Sequence, residues 1–373
     1  MVTSSDSEYM RMALALARKG LGKTSPNPCV GAVVVRGGEV VGKGWHRRAG
    51  EPHAEVNALR DAGPRAAGAT IYVSLEPCNH QGRTPPCTEA ILAAGISRVV
   101  FALDDPHSQA GGGGAYLASR GVEVCGGVLA EESRRLNRPF VKRVTTGRPW
   151  VLLKAAVSLD GRLATAGGLS KWITGAESRR LVHRLRCQSD AILVGVDTVL
   201  ADDPSLTTRL PGRRGRDPLR VVLDTNLRTP PTARVINPAS AAATWIFCGP
   251  GASAQRTRRL REAGAEVYQV GLAAGGGLDL AEVLDRLGTA GVTTLLAEGG
   301  GRVHGAFLRE SLVDEVAFFI APLLIGGDGI AAVGPLALAD LAQAPRLTEI
   351  SRRRCGTDML VRGILAQHSG SAS

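Results

Sequence analysis

The chain has 373 residues, of which 44% are hydrophobic and 21% charged, a composition that excludes a disordered protein and a small disulfide-stapled one. Its formal net charge is +11, but only 4% of the residues are aromatic, which disfavours stacking on nucleic-acid bases. No apolar run of about 18 residues is present, and residues 1–23 carry charges throughout. We therefore expect two domains, a cytoplasmic location, and neither nucleic acid nor a membrane as a partner.

The cysteines do not form a disulfide pattern. There are seven of them, an odd number, and they are spread from position 29 to position 355. Widely spaced cysteines in a large chain without a secretory signal indicate metal binding or reactivity instead of a stapled framework.

The first half of the chain predicts alternating helices and strands. Apolar residues recur at helical spacing over residues 7–19, with Ser5 or Asp6 available as the N-cap. Residues 30–36 and 39–44 are β-branched runs joined by Gly37-Gly38, which predicts a hairpin. The following elements are a helix at 53–62, a strand at 71–75, a helix at 87–94 and a strand at 99–103.

A segment rich in small residues, residues 144–149, predicts the boundary between two domains at 1–146 and 147–366. Residues 367–373 are expected to be a flexible tail. Within the second domain the patterns predict strands at 150–157, 191–194, 219–223, 244–247, 293–297 and 315–320, and helices at 177–185, 254–263 and 280–287.

A histidine, a glutamate and two cysteines form the clearest chemical pattern. His53 lies two residues before Glu55, and Cys78 and Cys87 each follow a proline. An imidazole and two thiolates suit zinc and leave a fourth tetrahedral position for water. Glu55 can carry a proton between that water and a leaving amine, as in hydrolytic deamination of a ring amidine. The structural alternatives are a closed zinc site with His80 as fourth ligand, or buried cysteines without a metal.

Eight residues separate the two cysteines, whereas two residues separate them in the P-C-x-x-C motif of nucleic-acid deaminases. With this loop, Asn27-Pro28 and His46, the first half resembles the deaminase domain of the bifunctional riboflavin-biosynthesis deaminase-reductase family. The resemblance implies a cytidine-deaminase-like α/β/α layered sheet, one Zn²⁺ on His53, Cys78 and Cys87, and Glu55 as the catalytic residue. The substrate implied is 2,5-diamino-6-ribosylamino-4(3H)-pyrimidinone 5′-phosphate, in contact with Asn27, His46, His80 and Arg83. A glycine-rich loop, residues 104–114, departs from the family pattern.

Glycines follow an apolar run near the end of the second half. Glu298 and Gly299-Gly300-Gly301 precede a short helical pattern at 303–308, an arrangement that can receive a pyrophosphate at a helix N-terminus. The spacing is not that of a Rossmann fingerprint.

The second half resembles the reductase domain of the same family over residues 154–161, 170–174, 195–204 and 298–300. This implies a dihydrofolate-reductase-like α/β sheet that binds NADPH. The implied cofactor contacts are Ala156, Trp172, Thr198, Asp202, Thr225, Gly300, Gly301, Arg302 and Val303. The implied substrate contacts are Lys154, Ser170, Arg186, Leu206, Arg209 and Glu298.

Physical roles follow for some of these residues. Arg186 and Arg209 are suited to a phosphate, since a guanidinium group matches phosphate oxygens bidentately. Lys154, Asp202 and Glu298 are candidate catalytic groups for opening the ribose to an imine that accepts hydride.

The sequence therefore predicts a bifunctional enzyme that deaminates a small phosphorylated pyrimidine and then reduces its ribosyl chain to ribityl. We expect a homo-oligomer, although no pattern sets the number of subunits. Two alternatives stay open at this point: a nucleic-acid deaminase with a binding domain, favoured by the charge, and a zinc-stabilised interaction protein.

Overall fold

A computed structural model describes residues 4–81, 85–107, 110–212, 215–236 and 239–366. The chain divides into two units, Met1–Arg148 and Pro149–Ser373, which are described separately. Residues 367–373, predicted to be a flexible tail, lie outside the described residues. None of the helices in the described ranges is long and apolar enough to cross a membrane.

The first unit is built on a mixed sheet with strand order β2-β1-β3-β4-β5. β1 pairs antiparallel with β2 and β3, and β3, β4 and β5 run parallel. The elements are α1 (Ser4–Ala17), β1 (Gly31–Arg36), β2 (Glu39–Trp45), α2 (Ala54–Ala62), β3 (Thr70–Leu75), α3 (Cys87–Ala93), β4 (Arg98–Leu103), α4 (Gly113–Ser119), β5 (Glu123–Cys125) and α5 (Ala130–Thr146).

Alternation along the strands of this sheet produces a core on each face. In β1, Ala32 and Val34 pack on one face with α2, α3 and α4, whereas Val33 and Val35 pack on the other face with α1. Because successive side chains of a strand point to opposite faces, strands buried on both sides become continuous apolar runs. The predicted α/β/α layering is confirmed.

The second unit contains a long sheet with strand order β11-β10-β9-β8-β12-β6-β13-β16-β15 and a small pair β14-β7. The strands from β11 to β13 run parallel, and the last two add antiparallel pairs. The strands are β6 (Trp150–Val157), β7 (Arg162–Ala164), β8 (Ala191–Gly195), β9 (Leu219–Leu223), β10 (Thr244–Cys248), β11 (Glu266–Gln269), β12 (Thr294–Ala297), β13 (Glu315–Ile320), β14 (Ile330–Ala331), β15 (Leu347–Cys355) and β16 (Asp358–Leu365). The helices are α6 (Ala176–Gln188), α7 (Val196–Asp202), α8 (Ala254–Glu262), α9 (Leu280–Thr289) and α10 (Gly301–Arg309).

The first helix corrects one prediction. It begins at Ser4, so neither Ser5 nor Asp6 is its N-cap. The Asp6 carboxylate is buried instead and accepts hydrogen bonds from Tyr72 Oη at 2.8 Å and Arg98 Nη1 at 2.8 Å. An ion pair with a residue 92 positions away in the chain outweighs the local capping preference, and it leaves no sequence signal.

Close backbone packing places α2 on the sheet. A Cβ atom on Gly44 would lie 2.3 Å from the Ala54 carbonyl oxygen and 2.4 Å from the Ala58 amide nitrogen. Glycine is therefore required on this part of β2, since any side chain would separate the strand from the helix. The first turn of α2 directly follows His53 and contains Glu55, so this contact sets the position of both predicted zinc-site residues.

We expect Gly44→Ala to lower the free energy of unfolding by about 1–3 kcal/mol, since the added methyl group forces α2 away from β2. Bound zinc per chain should fall as well. The measurements are urea unfolding and metal content of the full chain. Gly275→Ala is the control, because a Cβ there meets nothing within 4 Å. Unchanged stability and zinc content in Gly44→Ala would contradict the role of this contact.

Candidate active sites

The three predicted zinc ligands converge in the first unit. Cys78 follows β3, Cys87 is the first residue of α3, and His53 precedes α2. His53 Nδ1 lies 3.5 Å from Cys78 Sγ and 3.2 Å from Cys87 Sγ. Within the described residues, the ligand atoms of these three side chains lie within 4.8 Å of one another, and His80 is not a member of the group.

This geometry fits a zinc ion. Tetrahedral zinc, with bonds of about 2.0–2.3 Å, separates its ligand atoms by about 3.5 Å. The hydrogen bond from Cys87 lowers the pKa of Cys78, so that a thiolate is available for a cation. With three protein ligands converging, a fourth position is left for a water molecule. The closed site with His80 is not formed, and the cysteines are more than buried core residues.

Glu55 lies beside the ligands with a free oxygen. Its side chain is buried in the first turn of α2, and among the described residues its Oε2 atom has no hydrogen-bond partner. Burial raises the pKa of Glu55 to about 7. A buried carboxylate oxygen without a partner costs free energy unless a ligand or water supplies one. The position of Glu55 therefore suits an exchange of protons.

A pocket of about 460 Å³ opens over these residues and is lined by the described residues predicted to contact substrate, Asn27, His46 and His80. His46 is buried, and its Nδ1 lies 3.2 Å from the Pro52 carbonyl oxygen, which can only accept. Burial lowers the pKa of His46, so the ring is neutral and its Nε2 accepts from Asn27 Nδ2 at 3.1 Å. Asn27 thus presents its Oδ1 as an acceptor. Arg83 lies outside the described residues.

The glycine-rich loop also reaches this pocket. Glu76 organises it, because its carboxylate accepts from the Asp105 amide at 3.2 Å and the Gly114 amide at 2.9 Å. A Cβ on Gly113 would lie 1.8 Å from the Pro77 carbonyl oxygen, which explains a glycine there. Asp105 and His107 line the pocket but were not predicted as site residues. Their position directly after β4 was the available signal.

A buried carboxylate with two cationic neighbours forms the centre of the second site. Glu298 follows β12, and its two oxygens accept from Arg186 Nε at 2.9 Å and Arg186 Nη2 at 2.8 Å. Lys154 Nζ, from β6, lies 3.6 Å from the same carboxylate. Burial by itself would raise the pKa of Glu298, but the charges of Arg186 and Lys154 outweigh it and lower the pKa to about 2.

A pocket of about 490 Å³ lies next to this group. The predicted residues that line it are Lys154, Ala156, Ser170, Trp172, Arg186, Asp202 and Arg209. Trp172 is 70% exposed and is therefore not a core residue. Asp202 lies 3.5 Å from Ser170 Oγ, which donates to it, and 3.7 Å from Lys171 Nζ.

Arg186 and Arg209 differ in how many of their guanidinium hydrogen-bond donors already have an acceptor within the protein. Arg186 donates to Glu298 and, through Nη1, to the Thr207 carbonyl oxygen. Arg209 is exposed and contacts only hydroxyl groups through Nη1, those of Ser205 at 3.2 Å and Thr207 at 3.4 Å, among the side-chain contacts described for it. Arg209 is therefore better placed to meet a phosphate group.

The remaining predicted residues lie outside this pocket. The Leu206 side chain is buried in a core cluster, so only its backbone is available to a substrate. Thr198 lies in α7 and Thr225 follows β9, both at the carboxyl ends of parallel strands. The glycine turn, residues Gly299-Gly300-Gly301, is in the same region, since a Cβ on Gly300 would lie 4.0 Å from Thr198 Oγ1.

The glycine turn fits a dinucleotide. Gly300 is the N-cap of α10 and has no side chain that could cap the first amides of that helix, which is the arrangement that can receive an anion. A Cβ on Gly301 would lie 2.3 Å from the Ala331 carbonyl oxygen, so the turn tolerates no larger residue. Arg302 and Val303 are the next two residues of the helix.

We expect Glu298→Gln to destabilise the second unit by about 3 kcal/mol at pH 7, because it leaves Arg186 and Lys154 buried without their anion. The lowered pKa means that the carboxylate stabilises the fold above its ordinary pKa of 4.5 and loses that effect as the pH falls toward about 2. The difference between wild type and variant should therefore narrow from pH 4.5 downward.

Urea unfolding of the full chain at a series of pH values measures this difference. Glu262→Gln, an exposed carboxylate at the end of α8, is the control and should show no such trend. If the difference in free energy of unfolding between wild type and Glu298→Gln stayed constant from pH 7 to about pH 3, the electrostatic role of Glu298 would be disproved.

Comparison with known proteins covers both units. Family models match residues 3–103 as the cytidine and deoxycytidylate deaminase zinc-binding region and residues 149–361 as the RibD C-terminal domain. The riboflavin biosynthesis protein RibD of Aquifex aeolicus (strain VF5) is 42% identical over 97% of this chain and 99% of its own length. Its counterpart from Escherichia coli (strain K12) is 42% identical over 95% and 98%.

Two solved structures agree with these matches. Acinetobacter baumannii RibD superposes with a TM-score of 0.87 at 38% identity, covering 97% of this chain and 99% of that one. The diaminohydroxyphosphoribosylaminopyrimidine deaminase/5-amino-6-(5-phosphoribosylamino)uracil reductase from Thermotoga maritima gives 0.84 at 35% identity, with the same coverage. The chain therefore belongs to the RibD family of riboflavin biosynthesis, with a zinc-dependent deaminase domain followed by a reductase domain.

Proposed function

We propose that the pocket of the first unit deaminates 2,5-diamino-6-ribosylamino-4(3H)-pyrimidinone 5′-phosphate, with zinc held by His53, Cys78 and Cys87. The observation that carries this assignment is that Glu55 Oε2, which has no hydrogen-bond partner in the part of the chain that the structure describes, lies beside three converging ligand atoms. Zinc, when bound, supplies the Lewis acidity that makes a water molecule nucleophilic at neutral pH.

Glu55 moves the protons of this reaction. Its carboxylate takes a proton from the water molecule as the oxygen bonds to the ring carbon that carries the amino group. The Glu55 carboxyl group then gives this proton to the amino group, the carbon–nitrogen bond breaks, and ammonia leaves. Asn27, held by His46, accepts a hydrogen bond from the pyrimidine ring through Oδ1. His80, at the exposed rim of the pocket, contacts the substrate's ribose phosphate.

The second pocket is assigned to reduction of the ribosyl chain of the deaminated product. NADPH, when bound along the glycine turn, supplies the hydride. Lys154 Nζ gives a proton to the ribose ring oxygen, and the bond from that oxygen to C1′ breaks as the lone pair of the attached nitrogen forms an iminium C1′=N bond. The iminium ion accepts hydride at C1′ and becomes a neutral secondary amine. Burial lowers the pKa of the Lys154 ammonium group, and the negative charge of Glu298 opposes that effect and so favours the protonated form.

Other residues of the second pocket bind and orient the substrate. Arg209 binds the 5′-phosphate, and Ser170 and Asp202 contact the ribosyl chain. Arg186 orients Glu298 through two hydrogen bonds. A cytoplasmic location, a homo-oligomeric assembly and the lack of a nucleic-acid partner remain predictions from the sequence.

We expect Glu55→Gln to reduce ammonia release from the diamino substrate by about 10²-fold or more, since the proton carrier is lost. Zinc content should stay at one ion per chain, because the ligands are intact. In the same full-length variant, NADPH oxidation with the deaminated substrate should continue at the wild-type rate. Glu39→Gln, on β2 outside the pocket, is the control. If the zinc content fell together with the rate of ammonia release, Glu55 would instead be needed to hold the metal.

We expect Arg209→Ala to raise the KM for the deaminated substrate about tenfold, because one charge-assisted contact to phosphate is lost. The Kd for NADPH should change less than twofold. Steady-state kinetics and fluorescence titration of the reduced nicotinamide measure the two quantities. Arg184→Ala, exposed on α6 and outside the pocket lining, is the control. A weaker affinity for NADPH with an unchanged KM for the deaminated substrate would show that Arg209 binds the cofactor instead.

A further inference from the structure

The second unit has a small basic pocket whose lining residues differ from those of the pocket around Lys154. Its volume is about 360 Å³, and three arginines line it, Arg228, Arg256 and Arg259, together with leucine, threonine and proline side chains. No carboxylate is among the described residues that line it. Three guanidinium groups around one cavity repel one another, and a bound anion relieves that repulsion.

The order of the strands sets the distance of this pocket from the dinucleotide turn. β12, β8, β9 and β10 are successive parallel neighbours, so their carboxyl ends lie along one edge of the sheet. The glycine turn follows β12, Arg228 follows β9, and Arg256 lies in the helix after β10. Neighbouring strands are about 4.8 Å apart, so the arginines lie on the order of 10–14 Å from the turn.

One carboxylate connects the two regions. Asp197, in the first turn of α7, accepts from Arg228 Nη2 at 2.5 Å and from Arg302 Nη1 at 3.4 Å. Arg302 belongs to the first turn of α10, where the pyrophosphate is proposed to bind. Two arginines thus share one half-exposed carboxylate, and the region keeps an excess of positive charge.

The loop that carries Arg228 is fixed before any ligand binds. The buried Asp224 carboxylate accepts from the Thr229 amide and the Thr229 hydroxyl, both at 2.7 Å. Leu227 is buried and adopts a φ of 53°, which turns the chain so that Arg228 faces outward. Arg256 Nη1 donates to the Asn226 carbonyl oxygen at 3.0 Å, so the helix and the loop present their arginines together. A pre-ordered pair of guanidinium groups binds an anion at a lower entropic cost.

We propose that Arg228 and Arg256 bind the 2′-phosphate of NADPH and that this pocket selects NADPH over NADH. The inference rests on the proposed reductase function. In NADPH the 2′-phosphate is on the adenosine ribose and is separated from the pyrophosphate by one sugar, so a dinucleotide held at the glycine turn could present it to a pocket at the neighbouring strand ends. Arg259 adds positive charge at the pocket wall.

The test compares ligands that differ in the 2′-phosphate alone. Isothermal titration calorimetry of the zinc-loaded full chain measures the Kd values of 2′,5′-ADP, 5′-AMP and inorganic phosphate. Wild type should bind 2′,5′-ADP at least tenfold more tightly than 5′-AMP. Arg228→Ala and Arg256→Ala should each raise the Kd of 2′,5′-ADP about tenfold, as expected for one lost charge-assisted contact. The Kd of 5′-AMP should change less than twofold in both variants. Arg228→Lys should retain part of the affinity.

Arg258→Ala is the matched control, because Arg258 is exposed on the same helix but does not line the pocket. Unchanged binding of 2′,5′-ADP in both pocket variants would overturn the inference, as would an equal loss for 5′-AMP. Inorganic phosphate bound as tightly as 2′,5′-ADP would also overturn it, since the site would then recognise a free anion. If the inference fails while wild type still oxidises NADPH with the deaminated substrate, the proposed reductase function stands. If NADPH is neither bound nor oxidised, both fail.

Discussion

The partners of two buried glutamates determine what each unit can do. Removing a carboxylate from water is unfavourable unless hydrogen bonds or positive charges replace the lost hydration. Glu298 has both, from Arg186 and Lys154, and the pKa of its carboxyl group falls to about 2. Glu55 Oε2 has no hydrogen-bond partner within the described ranges, and burial raises the pKa of Glu55 to about 7. The first carboxylate is a fixed charge, whereas the second is prepared to exchange a proton.

Helix and strand ends position both glutamates. Glu55 lies in the first turn of α2, at a depth set by the glycine contact with β2, and Glu298 directly follows β12. A side chain at the end of a rigid element is held without blocking access from the adjoining loops. In each unit, one buried carboxylate is therefore combined with loops that carry residues able to recognise a substrate.

The zinc site could be predicted from the sequence because its chemistry is local. His53 and Glu55 are neighbours in the chain, and the proline-flanked cysteines are unusual residues in an apolar context. The alternating elements were equally accessible, and the strands Trp150–Val157, Leu219–Leu223 and Glu315–Ile320 have the predicted bounds. Hydrophobic periodicity marks such elements without any knowledge of their partners.

What could not be predicted depends on long-range partners or mixed local signals. The helix α5 contains Pro139, which is ordinarily a reason to end a helix, so Ala130–Thr146 was not predicted. Phe140 and Arg143, which line the first pocket, were missed with it. The hairpin of β15 and β16 was missed because β15 is exposed along most of its length and lacks a clear apolar alternation. The pairing of His46 with Asn27 joins residues 19 positions apart and has no sequence pattern.

The arginines show why charge alone does not reveal function. The chain has 39 of them, and in the sequence they are equivalent. Arg220 is fully buried and donates to the Val235 and Ala242 carbonyl oxygens and to the Thr244 hydroxyl, so it holds a loop together. Arg186 is neutralised by Glu298, and Arg228 shares a single exposed carboxylate. A guanidinium group whose donors are satisfied within the protein gains little from a further anion, whereas one with an incomplete set of acceptors gains more. A net charge of +11 therefore does not by itself identify a partner, and the arginines that we propose to bind ligands, Arg209, Arg228 and Arg256, line the pockets where the two phosphorylated molecules are expected.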